Sequence, residues 1–137
     1  MSTSTEKHKA IVRQSIEEPF HHGNLAILDE LYASEFVEHD PSNSDVTELA
    51  DRRAFIDDIL AEYLNITVTI DDQIAEADRV ATRWTFRGMT AGGAVTITGI
   101  TISRFKEGRI VEEWMEWDAL GLERQQRSTS ASPAIRS

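Results

Sequence analysis

Asp118 is the acid in this chain best placed to do chemistry. It follows an extended run, 109–117, that carries Trp114 and Trp117, and it stands directly before Ala119-Leu120-Gly121. A carboxyl delivered by a strand end into aromatic surroundings loses hydration, and desolvation raises its pKa toward the range a general acid or base needs. The same position also suits a cap, because aspartate accepts hydrogen bonds from the backbone amides that open a turn or helix. Arg83 is the second candidate: it stands mid-strand between Thr82 and Trp84, where a cation either faces solvent or is paired. Facing a cavity, its guanidinium would hold a carboxylate or an enolate oxygen. Strand alternation puts Arg83 and Trp84 on opposite faces, so only one of them lines a pocket unless a bulge intervenes. His39, between Phe36-Val37 and Asp40-Pro41, is the third candidate. It reads either as a pocket histidine tuned by nearby acids or as a loop histidine bonded to a neighbour. His21 and His22 read as helix-end residues favoured by the helix dipole. With no H-x-x-x-H spacing among the histidines, a metal site is not expected.

Three helices and four strands must position these groups. Ala10, Ile11, Ile16 and Phe20 form an imperfect helical stripe broken near Pro19. Gly23 ends that helix, and Asn24 is a suitable cap for a short one over 25–33 containing Leu25, Leu28, Leu31 and Tyr32. After a polar loop, Leu49, Phe55, Ile56, Ile59, Leu60 and Tyr63 give 47–64 a broad apolar face, with Asp45 and Glu48 at capping-box spacing. Tyr63, near the helix end, could point its hydroxyl into a cavity. From Asn65 the apolar period changes from 3.6 to 2. Strands are predicted over 65–74, 80–87, 95–105 and 109–118, with hairpin turns at Gly92-Gly93 and Lys106-Glu107-Gly108. Four antiparallel strands preceded by three helices make an α+β fold. Residues 1–126 read as one domain, and 127–137, rich in Ser, Thr and Ala, as a flexible tail.

Composition narrows the partners. The chain has 137 residues, 40% apolar and 28% charged, which fits a globular domain with a genuine core. Net charge is −10, and both charges after Gln125 are arginines, so the body is more acidic still. Such a surface repels nucleic acid and anionic membrane, and neither is expected as a partner. No apolar run approaches the ~20 residues of a membrane span. The N-terminus lacks a signal-like apolar stretch, so a cytoplasmic location is expected. There are no cysteines, hence no disulfide or thiolate chemistry.

One segment carries a family likeness. Arg104-Phe105, Gly108-Arg109-Ile110-Val111-Glu112, Trp114, Asp118, Gly121 and Gln125, together with the upstream stretch from His21 to Pro41, resemble the SnoaL-like polyketide cyclases (ester cyclases) of the NTF2-like superfamily. The resemblance implies a cone in which a curled sheet wraps three N-terminal helices and leaves a pocket at its open end. It implies a cofactor-independent enzyme acting on a small apolar carbonyl compound, by aldol-type cyclisation or isomerisation. Asp118 would move the proton, Arg83 would steady the oxyanion, and His39 would face the cavity. Phe20, Tyr32, Tyr63, Trp84 and Trp114 would be substrate-binding. The chain departs from the cyclase pattern at 87–93, where a Gly-Thr-His and a longer hairpin are usual and Thr90 replaces the histidine. Epoxide hydrolysis, seen elsewhere in the superfamily, would want an Arg-x-Asp where this chain has Arg83-Trp84-Thr85. Ketosteroid-isomerase chemistry would want a tyrosine and two carboxyls. The non-enzymatic alternative is a ligand-binding or dimerisation module. Apolar residues on both strand faces, such as Ile97 against Ile100 and Ile102, predict a homodimer through the sheets.

Overall fold

The computed structural model describes residues 3–136, with side chains described through Arg127. Helix α1 (Ser4–His22) starts where Thr3 Oγ1 accepts from Glu6 N at 3.1 Å, and ends at Gly23, whose φ of 66° closes the turn onto Pro19. It passes through Pro19 unbroken, where a break was expected. The short α2 (Ile27–Leu31) gives way at Tyr32 to strand β1 (Tyr32–His39), and α3 (Leu49–Glu62) follows a 3-10 turn over Pro41–Asn43. The cap of α3 lies three residues beyond the predicted one: Asp51 Oδ2 accepts from Thr47 N at 3.1 Å and from Glu48 N at 3.0 Å. Strands β2 (Leu64–Glu76), β3 (Arg79–Thr90), β4 (Gly93–Lys106) and β5 (Arg109–Trp117) then run as consecutive hairpins, followed by α4 (Ala119–Arg136).

The sheet has five strands in the order β1-β5-β4-β3-β2, not four. The added strand, β1, pairs parallel to β5, so the sheet is mixed where an all-antiparallel one was predicted. A register shift between Tyr32 and Val37 breaks its period of two. The second difference is α4, which carries helical backbone across the stretch that composition reads as a tail. The architecture is an α+β cone. Its inner face holds the apolar core, in which Leu28, Phe36, Ile56, Val80 and Ile110 are almost wholly buried. Each side chain of that size contributes about 1.5–3 kcal/mol by leaving water.

Alternation across paired strands sorts side chains into rows. One inner row reads Ile70, Trp84, Gly99, Trp117, and another reads Ser103, Glu113, Glu38. On the outer face the row is Ile74, Ala81, Ile102, Trp114, His39. Ile74 reaches that outer row because β2 shifts register between Ile70 and Asp72, and it is 68% exposed.

Candidate active site

The cone encloses a cavity of about 300 Å³ between the inner sheet face and helices α1 and α3, with Leu122 and Gln126 of α4 also on its wall. Most of that wall is apolar or aromatic: Phe20, Tyr63, Trp84, Phe86 and Trp117 all contribute. Tyr63 meets Phe86 edge-on at 5.2 Å, and Phe20 meets the same ring at 6.2 Å. Burial raises the Tyr63 hydroxyl's pKa, and the charge of Glu62 adds to this.

One part of the wall is polar. Glu113 shares the inward phase of β5 with Met115 and Trp117, and is 2% exposed. Ser103 Oγ donates to its Oε2 at 2.6 Å, and Tyr32 Oη donates to its Oε1 at 3.3 Å. Arg52 reaches the same region from α3. Its Nη1 lies 3.5 Å from Glu38 Oε2, with the two side chains 8% and 0% exposed. Glu38 and Glu113 are direct cross-strand neighbours. Two buried carboxyls therefore share one guanidinium.

That arrangement sets the protonation states. Desolvation, reinforced by the Glu38 charge, pushes the Glu113 carboxyl up from 4.5 to about 7; Arg52 and the two hydroxyl donors oppose the rise. Glu38 is raised as well, chiefly by burial and against the pull of Arg52. The Tyr32 phenol is driven upward by burial and by Glu113, so it remains a hydrogen-bond donor. Burial acts to discharge Arg52, but Glu38, Tyr32 and Glu113 outweigh it and hold the guanidinium charged. Among the described residues, neither Glu38 oxygen nor Arg52 Nε has a hydrogen-bond partner. A buried pair so poorly satisfied is costly to keep, and perturbed carboxyls in a cleft point to function.

The structure separates the residues singled out from the sequence. Phe20, Tyr32, Tyr63 and Trp84 line the cavity. Asp118 does not; it is exposed, and its Oδ1 accepts from Gly121 N at 2.8 Å. Because β5 ends at Trp117, Asp118 stands past the sheet, at the opening of α4, and it serves there as a cap. Arg83 faces outward, 57% exposed, with Nη1 3.9 Å from Asp71 Oδ2. Trp84 takes the inward place that alternation allows to only one of the two. The epoxide-hydrolase reading thereby loses its arginine.

His39 and Trp114 are also corrected, because both lie on the outer face. The His39 ring stacks on Trp114 at 5.4 Å and its Nε2 lies 2.7 Å from Glu112 Oε2, while the Arg79 guanidinium covers Trp114 at 5.1 Å. The aromatic that belongs to the cavity is Trp117, whose Nε1 donates to both Asp40 oxygens at 3.1 and 3.2 Å. His21 tethers α1 to β2, its Nε2 accepting from Val68 N at 2.9 Å. Among the described residues no three His, Asp or Glu side chains gather as a metal-binding group.

Sequence reasoning missed Glu113, Arg52, Glu38 and Ser103. A signal was present: Glu113 falls in phase with Met115 and Trp117, and Arg52 falls on the apolar stripe of α3, four residues before Ile56. A charged residue in an apolar phase is the mark of a buried polar site.

Fold and site together define a class: an α+β cone whose apolar cavity ends in a buried carboxyl–tyrosine–arginine group. The chain belongs to the SnoaL-like polyketide cyclase family, whose model matches residues 10–126. Solved structures agree on the NTF2-like fold. TsrD from Streptomyces laurentii superposes with a TM-score of 0.79 at 23% identity, covering 91% of this chain and 98% of its own. IdmH from Streptomyces antibioticus gives 0.74 at 25% identity, covering 86% and 96%. An NTF2-like protein from Burkholderia pseudomallei gives 0.73 at 22%, covering 91% and 98%. No curated protein matches the chain in sequence. Among the described residues no helix is long and apolar enough to cross a membrane.

Proposed function

We propose that this protein is a cofactor-independent acid–base catalyst of aldol-type cyclisation or isomerisation on a small apolar carbonyl compound, with Glu113 as the proton-transferring group. The observation that carries this reading is Glu113 itself: a carboxyl buried in an apolar cavity, held by Tyr32 and Ser103, with a pKa of about 7. A group so poised is half ionised near neutral pH and can both take and return a proton.

In the charged form Glu113 removes a proton from the carbon next to the substrate carbonyl. The C–H electron pair becomes the enolate double bond, and the carbonyl oxygen takes the negative charge. Tyr32, which lines the cavity and donates to Glu113, is a neutral donor for that oxygen once Glu113 is protonated, and the Arg52 guanidinium supplies positive potential behind it. In isomerisation Glu113 returns the proton to a second carbon. In cyclisation the enolate carbon attacks a second carbonyl, and the new alkoxide takes the proton from Glu113, which restores the carboxylate. The apolar wall excludes water that would quench the enolate.

The test is deuterium exchange. Small enolisable ketones incubated with the protein in D2O should exchange their α-protons faster than in buffer. Glu113→Gln should lower that acceleration by ~10²–10⁴-fold, the usual contribution of a positioned base. No acceleration, or an acceleration that survives Glu113→Gln, would sink the catalytic reading and leave a binding module. The outer sheet face supports a homodimer in either case, since Val37, Ile74, Ile100 and Ile102 are exposed there around Trp114. Light scattering that returns a monomer mass would remove the dimer.

A further inference from the structure

Gly99 and Trp84 are direct partners across β3 and β4, on the inner face of the sheet, with Trp117 as the next partner on β5. A glycine in the middle of a long strand weakens it and needs a reason. The reason is the indole. A Cβ built on Gly99 would stand 2.3 Å from Trp84 Cζ2, with the bonded neighbours Cη2 and Cε2 at 2.7 and 2.8 Å. Neighbours barely farther than the nearest atom mean approach through the ring face; approach to a ring edge would leave them well behind. The six-membered ring therefore lies flat on the bare backbone of Gly99. Trp84 Nε1 donates to Thr101 Oγ1 at 3.0 Å and pins the ring's rotation. With one face covered by the strand and the side chain on the cavity wall, the other face is turned to the cavity.

From this geometry we infer that Gly99 is a specificity-determining residue: by letting Trp84 lie flat it makes a stacking platform, and the substrate is an uncharged carbonyl compound with a flat, unsaturated ring. This deepens the proposed function and rests on its reading of the cavity as a substrate site. A cavity of about 300 Å³ has room for a flat ring system laid on this platform. The absence of charge follows from the polar end. Arg52 already faces two buried carboxyls, Glu38 and Glu113, so a substrate carboxylate would bring a third negative group to one guanidinium. Flatness follows from the platform, because a planar π-system gains from offset stacking on an indole and a puckered ring does not.

The test uses one skeleton in two shapes, 2-acetylnaphthalene and 2-acetyldecalin. Both are titrated into the full chain, following the Trp84 Nε1–H signal by NMR and heat by calorimetry. The flat ketone should bind about two- to twelvefold more tightly, the range that ring stacking adds beyond area. In Trp84→Leu the ratio should fall to about one while both ketones still bind. In Gly99→Ala the displaced indole should fill part of the cavity, weaken both probes and shift the Nε1–H signal as the Thr101 bond is lost. Thr101→Val, which leaves the glycine in place, should lower the ratio without excluding either probe. Equal affinities in the unaltered protein, a ratio unchanged in Trp84→Leu, or no binding of either ketone would each overturn the inference. The two proposals fail separately: a flat-ring preference without deuterium exchange sinks only the catalytic reading, and exchange without the preference sinks only this one.

Discussion

Glu112 and Glu113 are neighbours in sequence and opposites in chemistry. Glu112 points outward, where the hydrogen bond from His39 and the nearby Arg104, 3.0 Å away, hold its carboxyl below the usual range. Glu113 points inward, where burial pushes the same group up to about 7. Trp114 and Trp117 divide in the same way, one in contact with His39 and Arg79 on the outer face, the other on the cavity wall. A single strand thus carries a surface ion-pair cluster on one face and the proposed proton-transfer site on the other. Residue type does not separate the two; the phase of the pleat does.

The largest effect that would break this comparison lies at Glu113. Its Gln variant should lose the ~10²–10⁴-fold contribution of a positioned base while Glu112→Gln leaves exchange kinetics unchanged. The next largest lies at Arg52. Removing the guanidinium leaves Glu38 and Glu113 buried together without a counter-charge, and Arg52→Met should cost about 3–5 kcal/mol in a urea titration. It should also raise the Glu113 pKa further, shifting the acidic limb of the activity profile, where the base becomes protonated, to higher pH.

A third effect is a pH dependence of opposite sign on the two faces. The folded-state pKa of Glu113 lies above its unfolded value of 4.5, so between that value and about 7 the folded chain holds the extra proton. Its contribution to stability is fully present below the unfolded pKa and is lost as pH rises through about 7. Glu112 has a depressed pKa, so its contribution is present above the unfolded value and is lost as pH falls through the folded one. Thermal melts across pH 4–8 should show Glu113→Gln flattening the neutral-pH decline. Glu112→Gln should act only on the acid side, and by no more than ~1 kcal/mol, because the pair is partly exposed.

Much of the fold was legible because a period of two runs through most of β2 to β5 and two of their three hairpin turns, at Gly92-Gly93 and Gly108, carry glycine. β1 was not, for two physical reasons. Its register shift spoils the period of two, and its inward position 38 holds a glutamate where an apolar residue would have marked a strand. The site was hidden by the same feature. Glu113 and Arg52 each stand beside a residue of like charge that faces solvent, Glu112 and Arg53, so each pair reads as an ordinary polar surface. Alternation did state the choice between Arg83 and Trp84 correctly as a choice, but only the direction of the sheet's curl decides which of them faces in.

The smallest expected effect concerns Asp118, and it separates the two readings that its position allowed. As a cap it accepts from Gly121 N, and a Cβ on Gly121 would stand 2.1 Å from Asp118 Oδ2 and displace the capping carboxylate. Asparagine caps about as well as aspartate, and alanine does not. Asp118→Asn should therefore leave both stability and exchange rate near those of the unaltered protein. Asp118→Ala should lose about 1 kcal/mol of stability in denaturant titration with the rate per folded molecule unchanged. A proton-transferring aspartate would behave otherwise, because both substitutions remove the titratable group and both would abolish exchange. If Asp118→Asn proved inactive while still folded, the proton chemistry would sit at the mouth of the cone, and Glu113 would be left as a buried structural acid.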